Sequence, residues 1–244
     1  MQKQFTRTQM LVGSAAMERL AGCRVAVFGV GGVGGYVAEV LARSGVGAID
    51  LIDNDAVSVS NVNRQVIALM TNVGRDKVDV AEERILAINP ECRVTKHKMF
   101  YVVANADELD LTQYDYVADC IDTVSAKMEL VRRCTRLGVP LLCSMGAANK
   151  MDPTAFRVAD STKTSMDPLA KIMRKRLRRE GINHFKCVYS AEKAMTPVEP
   201  APAGEDPGTH HNVMASNAFV PAAAGIVMGG EIVKDLIGFT PEQE

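Results

Sequence analysis

Three glycines, Gly29, Gly31 and Gly34, are spaced G-x-G-x-x-G in the stretch FGVGGVGG, with Gly32 a fourth small residue between them. Such residues let backbone N–H groups approach phosphate oxygens, and the helix that follows adds the positive end of its dipole. Asp53 comes later, at the end of the next apolar run, where a carboxylate can accept both hydroxyls of a ribose. These residues describe a nucleotide site. By themselves they do not separate ATP from NAD, which share the adenosine and phosphates.

The next residues favour ATP. Asp55, Asn61, Arg64 and Lys77 follow Asp53 in the segments LIDNDAVSVSNVNRQ and GRDKV. Hydride transfer has little use for an arginine and a lysine converging on a phosphate chain, whereas nucleotidyl transfer needs them, because charge spreads over the phosphoryl oxygens in its transition state. Asp122 closes the run DYVADCID, at the edge where open α/β sheets bind ligands, and its carboxylate could hold magnesium against the phosphates. Asp122 also fits as the cap of a helix starting near Ser125, and Ser60 and Asn61 fit as turn residues.

The elements that must position these groups alternate. RVAVFG and AIDLID are apolar, β-branched runs, and CRVTKHK, DYVADCID and VPLLCS continue the series. Helical spacing fills the gaps at GGYVAEVLARSG, VGRDKVDVAEERILAINP and SAKMELVRRCTRLG. The fold class is therefore α/β: a Rossmann-like, doubly wound, mostly parallel sheet. A single domain is expected over 1–244, with a helical arm over 1–22, a nucleotide-binding core over 23–146, and an appended strand and helix region over 147–244 that binds substrate. Pro and Gly crowd TPVEPAPAGEDPG, so 195–212 reads as a mobile loop.

The chain has 244 residues, net charge −1 and 47% hydrophobic residues, enough for a full core and no global field toward nucleic acid or membrane. No secretory leader or spanning run is evident, so a cytoplasmic protein without membrane contact is expected. Six cysteines are scattered without a CxxC pair, which argues against a zinc knuckle. Cys187 sits in the apolar run FKCVYS and reads as core rather than nucleophile.

The joint order of the glycine loop (29–34), Asp53 with Asp55, SNVNRQ (60–65), GRDKV (74–78) and DCID (119–122) resembles the adenylation domain of the ubiquitin-activating, E1-like superfamily. In that superfamily a carboxylate attacks the α-phosphate of ATP, giving an acyl-adenylate and pyrophosphate. The resemblance implies Asp53 on ribose, Asn61, Arg64 and Lys77 on phosphates, and Asp122 on magnesium. It also implies that Arg7 reaches the phosphates from the partner subunit of a homodimer. Beyond Ala147, CSMGAANKMDPTAFRVADSTKTSMDPLAKIMRKRLR, CVYSAE and FVPAAAGIVMGGEIVKDL resemble the threonylcarbamoyladenosine dehydratase branch, whose substrate is a modified adenosine beside the tRNA anticodon. That resemblance implies that ATP adenylates the threonine carboxylate, after which an atom of the same side chain attacks the activated carbonyl, a ring closes and AMP leaves, with no protein nucleophile required.

A basic stripe, Lys171, Arg174, Lys175 and Arg178, suits the phosphates of such a tRNA, although a basic helix is as often a solvated face. Two other readings compete. Activation of a ubiquitin-like or sulfur-carrier protein would use the same ATP site and admits a sulfur-relay partner, but its usual CxxC pairs are absent. An NAD-dependent oxidoreductase leaves Arg64 and Lys77 without work.

Overall fold

A computed structural model describes residues 2–199 and 214–240. Of the expected loop 195–212, residues 200–212 lie outside the described residues.

Among the described residues seven strands form one sheet: β1 (Arg24–Phe28), β2 (Ala48–Ile52), β3 (Arg93–His97), β4 (Tyr116–Asp119), β5 (Leu141–Ser144), β6 (Phe156–Asp160) and β7 (Lys186–Ser190). Their spatial order is β3-β2-β1-β4-β5-β7-β6, parallel except for the antiparallel edge pair β6 and β7. Every residue of β2 is buried, as is β1 after Arg24, so these runs are apolar rather than alternating, apart from Asp50, whose buried carboxylate pairs with Arg24 at 2.8 Å.

Seven α-helices among the described residues accompany the sheet: α1 (Thr6–Val12), α2 (Ser14–Gly22), α3 (Gly34–Arg43), α4 (Lys77–Ile88), α5 (Val124–Leu137), α6 (Pro168–Arg178) and α7 (Val220–Ile237). Helix α7 lies against α3 so closely that a Cβ on Gly225 would meet the Val33 carbonyl oxygen at 2.4 Å. Only glycine permits that approach. One core joins α2, α3, α4 and α7 to the sheet, and separate clusters lie under α5 and α6.

Two local expectations need revision. The N-terminal arm is two helices rather than one, because Gly13 adopts φ +84° and breaks the run between Val12 and Ser14. Strand β4 ends at Asp119, so Asp122 stands on the loop beyond it rather than closing the strand.

Candidate active site

Parallel register brings the chemistry together. Phe28 pairs with Ile52 on one side and Asp119 on the other, so Gly29, Asp53 and Cys120 leave the sheet side by side at its carboxyl edge. The strand order reverses between β1 and β4, the crevice in which open α/β sheets bind ligands.

The glycine loop is built by close approaches. Gly29 takes φ +86°, and a Cβ there would stand 2.8 Å from the Cys120 carbonyl oxygen. A Cβ on Gly34 would lie 1.8 Å from the Gly29 carbonyl oxygen, so the turn requires hydrogen at that position. A Cβ on Gly32 would meet Pro221 of α7 at 3.2 Å and the Arg64 side chain at 3.5 Å, whereas one on Gly31 would meet only the Gln65 amide, at 3.9 Å, among the described residues. Gln65 is buried, and its Oε1 has no hydrogen-bond partner among the described residues. Its presence beside Gly31 makes it a cradle residue to which the sequence reading assigned no role.

Asp53 is held rigidly. One carboxylate oxygen accepts from the Val30 N–H at 2.7 Å, the other from the Asp55 N–H at 2.8 Å. Burial raises its pKa above the ordinary aspartate value, against the pull of Lys77 and of those two N–H groups. Lys77 is the first residue of α4, buried, with Nζ 2.6 Å from Asp55 and 4.0 Å from Asp53. An ammonium and two carboxylates therefore share one corner of the crevice.

Asn61 is buried and its side-chain oxygen accepts from the Ser58 N–H at 3.1 Å, closing a helical turn, so it serves the backbone in this state and leaves its amide nitrogen for another partner. Arg64 is half-buried and folded back on the Ser60 carbonyl and the Asn63 side chain at 2.8 and 2.9 Å. Asp122 is exposed and, among the described residues, its side chain bonds only the Thr123 hydroxyl, at 3.3 Å. Among the described residues no cluster of three histidine, cysteine or acidic side chains could hold a metal alone. A lone free carboxylate fits a magnesium ion that takes its other ligands from phosphate and water.

Below Asp122 lies a feature that the sequence reading left out. Lys127 of α5 is fully buried, donates to the Ile121 carbonyl at 3.1 Å and pairs with the equally buried Asp119 at 3.0 Å. Burial pulls its pKa down, but the Asp119 charge prevails and the lysine is held above its ordinary value. The pair fixes the loop that presents Asp122. The signal was available: Lys127 shares its helix face with the apolar Leu130, Val131 and Cys134.

Arg7 is exposed on α1 with no ion pair among the described residues. Its helix is anchored at the opposite edge of the sheet, where Phe5 packs on Gly45 and Gln2 donates to Asn89. Arg7 therefore does not join the crevice of its own chain.

On α6, Lys171, Lys175 and Arg178 are exposed and, with Arg179, line a shallow groove. Arg174 also borders that groove, but its guanidinium is engaged with the Ser161 carbonyl at 2.9 Å and with the Thr164 hydroxyl. On the apolar side of α6, Met173 and Leu177 are buried and Ile172 is 42% exposed. All six cysteines are free, and burial pushes Cys187 up to about 12, which removes it as a nucleophile near neutral pH.

A family model described as the ThiF family matches residues 5–244. The chain belongs to the ThiF family. Within it, this ThiF-family chain is 45% identical to the tRNA threonylcarbamoyladenosine dehydratase of Bacillus subtilis over 240 residues, 96% of this chain and 94% of that protein. Crystal structures of the E. coli tRNA N6-threonylcarbamoyladenosine dehydratase in complex with ATP and with AMP superpose with TM-scores of 0.85 and 0.86 at 38% identity, covering 97% of this chain and 94% of theirs. No helix of the described residues is long and apolar enough to cross a membrane.

Proposed function

We propose that this protein is an ATP-dependent tRNA threonylcarbamoyladenosine dehydratase. The observation that carries the reading is likeness to that enzyme along nearly the whole of both chains, including the region beyond Ala147. The crevice supplies what the chemistry demands. Asp53 receives the ribose, the N–H groups of the 29–34 turn face the triphosphate, and Lys77 and Arg64 stabilise charge as the threonine carboxylate attacks the α-phosphorus and pyrophosphate departs. Arg64 must leave Ser60 and Asn63 to do so.

Asp122 would hold a magnesium ion, which would neutralise phosphate charge. The acyl-adenylate then reacts within itself: an atom of the same threonylcarbamoyl side chain attacks the activated carbonyl, loses its proton, and expels AMP. No protein nucleophile takes part, in keeping with the buried state of Cys187. The exposed Lys171, Lys175 and Arg178 contact tRNA phosphates, with Arg174 bracing their helix.

The homodimer is part of the same proposal. Helix α1 buries none of its own residues, with Met10 and Leu11 82% and 85% exposed, and a second copy covering that face would bring Arg7 to the other protomer's phosphates. The test is mass spectrometry of nucleosides after incubating threonylcarbamoyladenosine-bearing tRNA with protein, ATP and magnesium. ATP-dependent loss of one water is expected. An unchanged nucleoside, with ATP–pyrophosphate exchange on a carrier protein instead, would overturn the reading.

A further inference from the structure

Two residues outside the ATP crevice are buried, charged and so far without a role. Lys150 follows β5 and Asp167 precedes α6; their side chains are 2% and 0% exposed. Lys150 Nζ donates to the Gly146 carbonyl at 2.8 Å and stands 3.7 Å from Asp167. Asp167 in turn accepts from the Gly146 N–H at 3.0 Å and from the Ala170 N–H at 2.9 Å, which makes it the N-cap of the basic helix. A buried pair of this kind contributes little net stability compared with apolar residues, so its presence calls for another reason.

The backbone around the pair is strained. Asn149 and Met166 are the only non-glycine residues with left-handed backbone among the described residues, each at φ +58°. They immediately precede Lys150 and Asp167. A strained conformation persists where its surroundings over-determine it, and such residues gather at functional positions.

The pair also lies on a continuous run of contacts between two binding surfaces. The Lys150 carbonyl accepts from the Asn217 side chain at 2.8 Å, and the Asn217 side-chain oxygen accepts from the Val220 N–H at 2.9 Å, at the start of α7. Pro221, the next residue, packs on Gly32 of the glycine loop. Asn63, beside Arg64, donates to the Ser216 carbonyl at 3.1 Å. One end of this run is α6, the other the ATP cradle.

We infer that Lys150 and Asp167 are positioning residues that set the register between the tRNA-contacting helix and the ATP cradle, so that the modified nucleoside meets the α-phosphate. This rests on the dehydratase reading. Neither residue touches a reacting atom; they act through α6, Gly146 and α7. A reaction between two separately held substrates depends steeply on such alignment, and misplacement by about 1 Å costs about a hundredfold.

The test compares Asp167→Asn, Lys150→Met and the double variant with the wild-type chain, measuring kcat and KM for tRNA beside Kd for ATP and the melting temperature. Asn217→Ser is included because it removes the bond to the Lys150 carbonyl, with a weaker contact to the Met151 sulfur, while its hydroxyl can still cap α7, so the test does not depend on a buried variant folding. The expected result is a fall of about ten- to a hundredfold in kcat for tRNA conversion with ATP affinity held within about threefold, and recovery in the double variant relative to Asp167→Asn, because no charge is then left alone. Parallel losses of ATP affinity and conversion, or wild-type conversion in all four variants, would overturn the inference. A wild-type chain that binds ATP but never dehydrates the nucleoside would refute the reading beneath it instead.

Discussion

Replacing Gly34 with alanine tests whether the glycine turn is as tightly closed as described. The added methyl would stand 1.8 Å from the Gly29 carbonyl oxygen, 3.0 Å from the Gly29 carbonyl carbon and 3.1 Å from Cys120 Cβ. Ordinary C···O contact begins near about 3.3 Å, so the turn must open by about 1.5 Å. No flexible side chain can absorb that movement, since the first obstacle is backbone. Overpacking of this kind costs about 3 kcal/mol, which for a chain of this size lowers Tm by roughly 6–12 °C. The N–H groups that face the phosphates shift with the turn, and ATP affinity should fall by about a hundredfold. Differential scanning calorimetry and titration calorimetry read the two effects. Gly31→Ala is the control: its nearest neighbour is the Gln65 amide at 3.9 Å, an ordinary contact, so it should melt with the wild type. A Gly34→Ala protein with unchanged Tm and ATP affinity would refute this account of the loop.

Lys77→Met removes the buried ammonium beside Asp53 and Asp55, and steady-state kinetics should show kcat lower by about 10²- to 10³-fold. On α6, Lys175→Ala should weaken tRNA binding and flatten the dependence of log affinity on log salt by about one, measured by filter binding from low to moderate salt, whereas an unchanged slope would remove Lys175 from the contact surface. Nucleotide affinity should be lost on acidification with a midpoint above the ordinary aspartate value of about 3.9, because burial raises Asp53 and its protonation removes an acceptor from the ribose. The same shift has an opposite sign for folding. As pH rises from the unfolded to the folded pKa of Asp53, the unfolded chain ionises first and stability falls, which urea melts across that interval would detect.

The sheet was legible because β1, β2, β4 and β5 are short buried runs, and burial on both faces writes itself as continuous apolar sequence. The crevice followed from order alone, since parallel strands must end at one edge and the glycine loop, Asp53 and Asp122 each follow a strand. Gly13 was harder, because helical spacing continues across it and only its left-handed backbone divides α1 from α2. Lys127 was legible in principle, as a lysine on an apolar helix face, yet its role required knowing that Asp119 points at that face. The pairing of Lys150 with Asp167 left no local mark, although Asp167 followed by Pro168 has the form of a helix N-cap. Asp167 meets the Gly146 N–H and Lys150 the Asn217 side chain, and such pairings across the chain are fixed by packing rather than by spacing. Arg174 shows the converse: the stripe was visible, but its engagement by the turn at Ser161–Lys163 was not.

Oxygen transfer tests most directly whether the threonine carboxylate itself attacks ATP. With both carboxylate oxygens of the tRNA nucleoside labelled with oxygen-18, adenylation places one labelled oxygen between carbonyl and phosphorus, and cyclisation expels it with the nucleotide. Mass spectrometry should then find one heavy oxygen in each AMP released, in step with dehydrated nucleoside. Dehydration accompanied by unlabelled AMP would contradict the account.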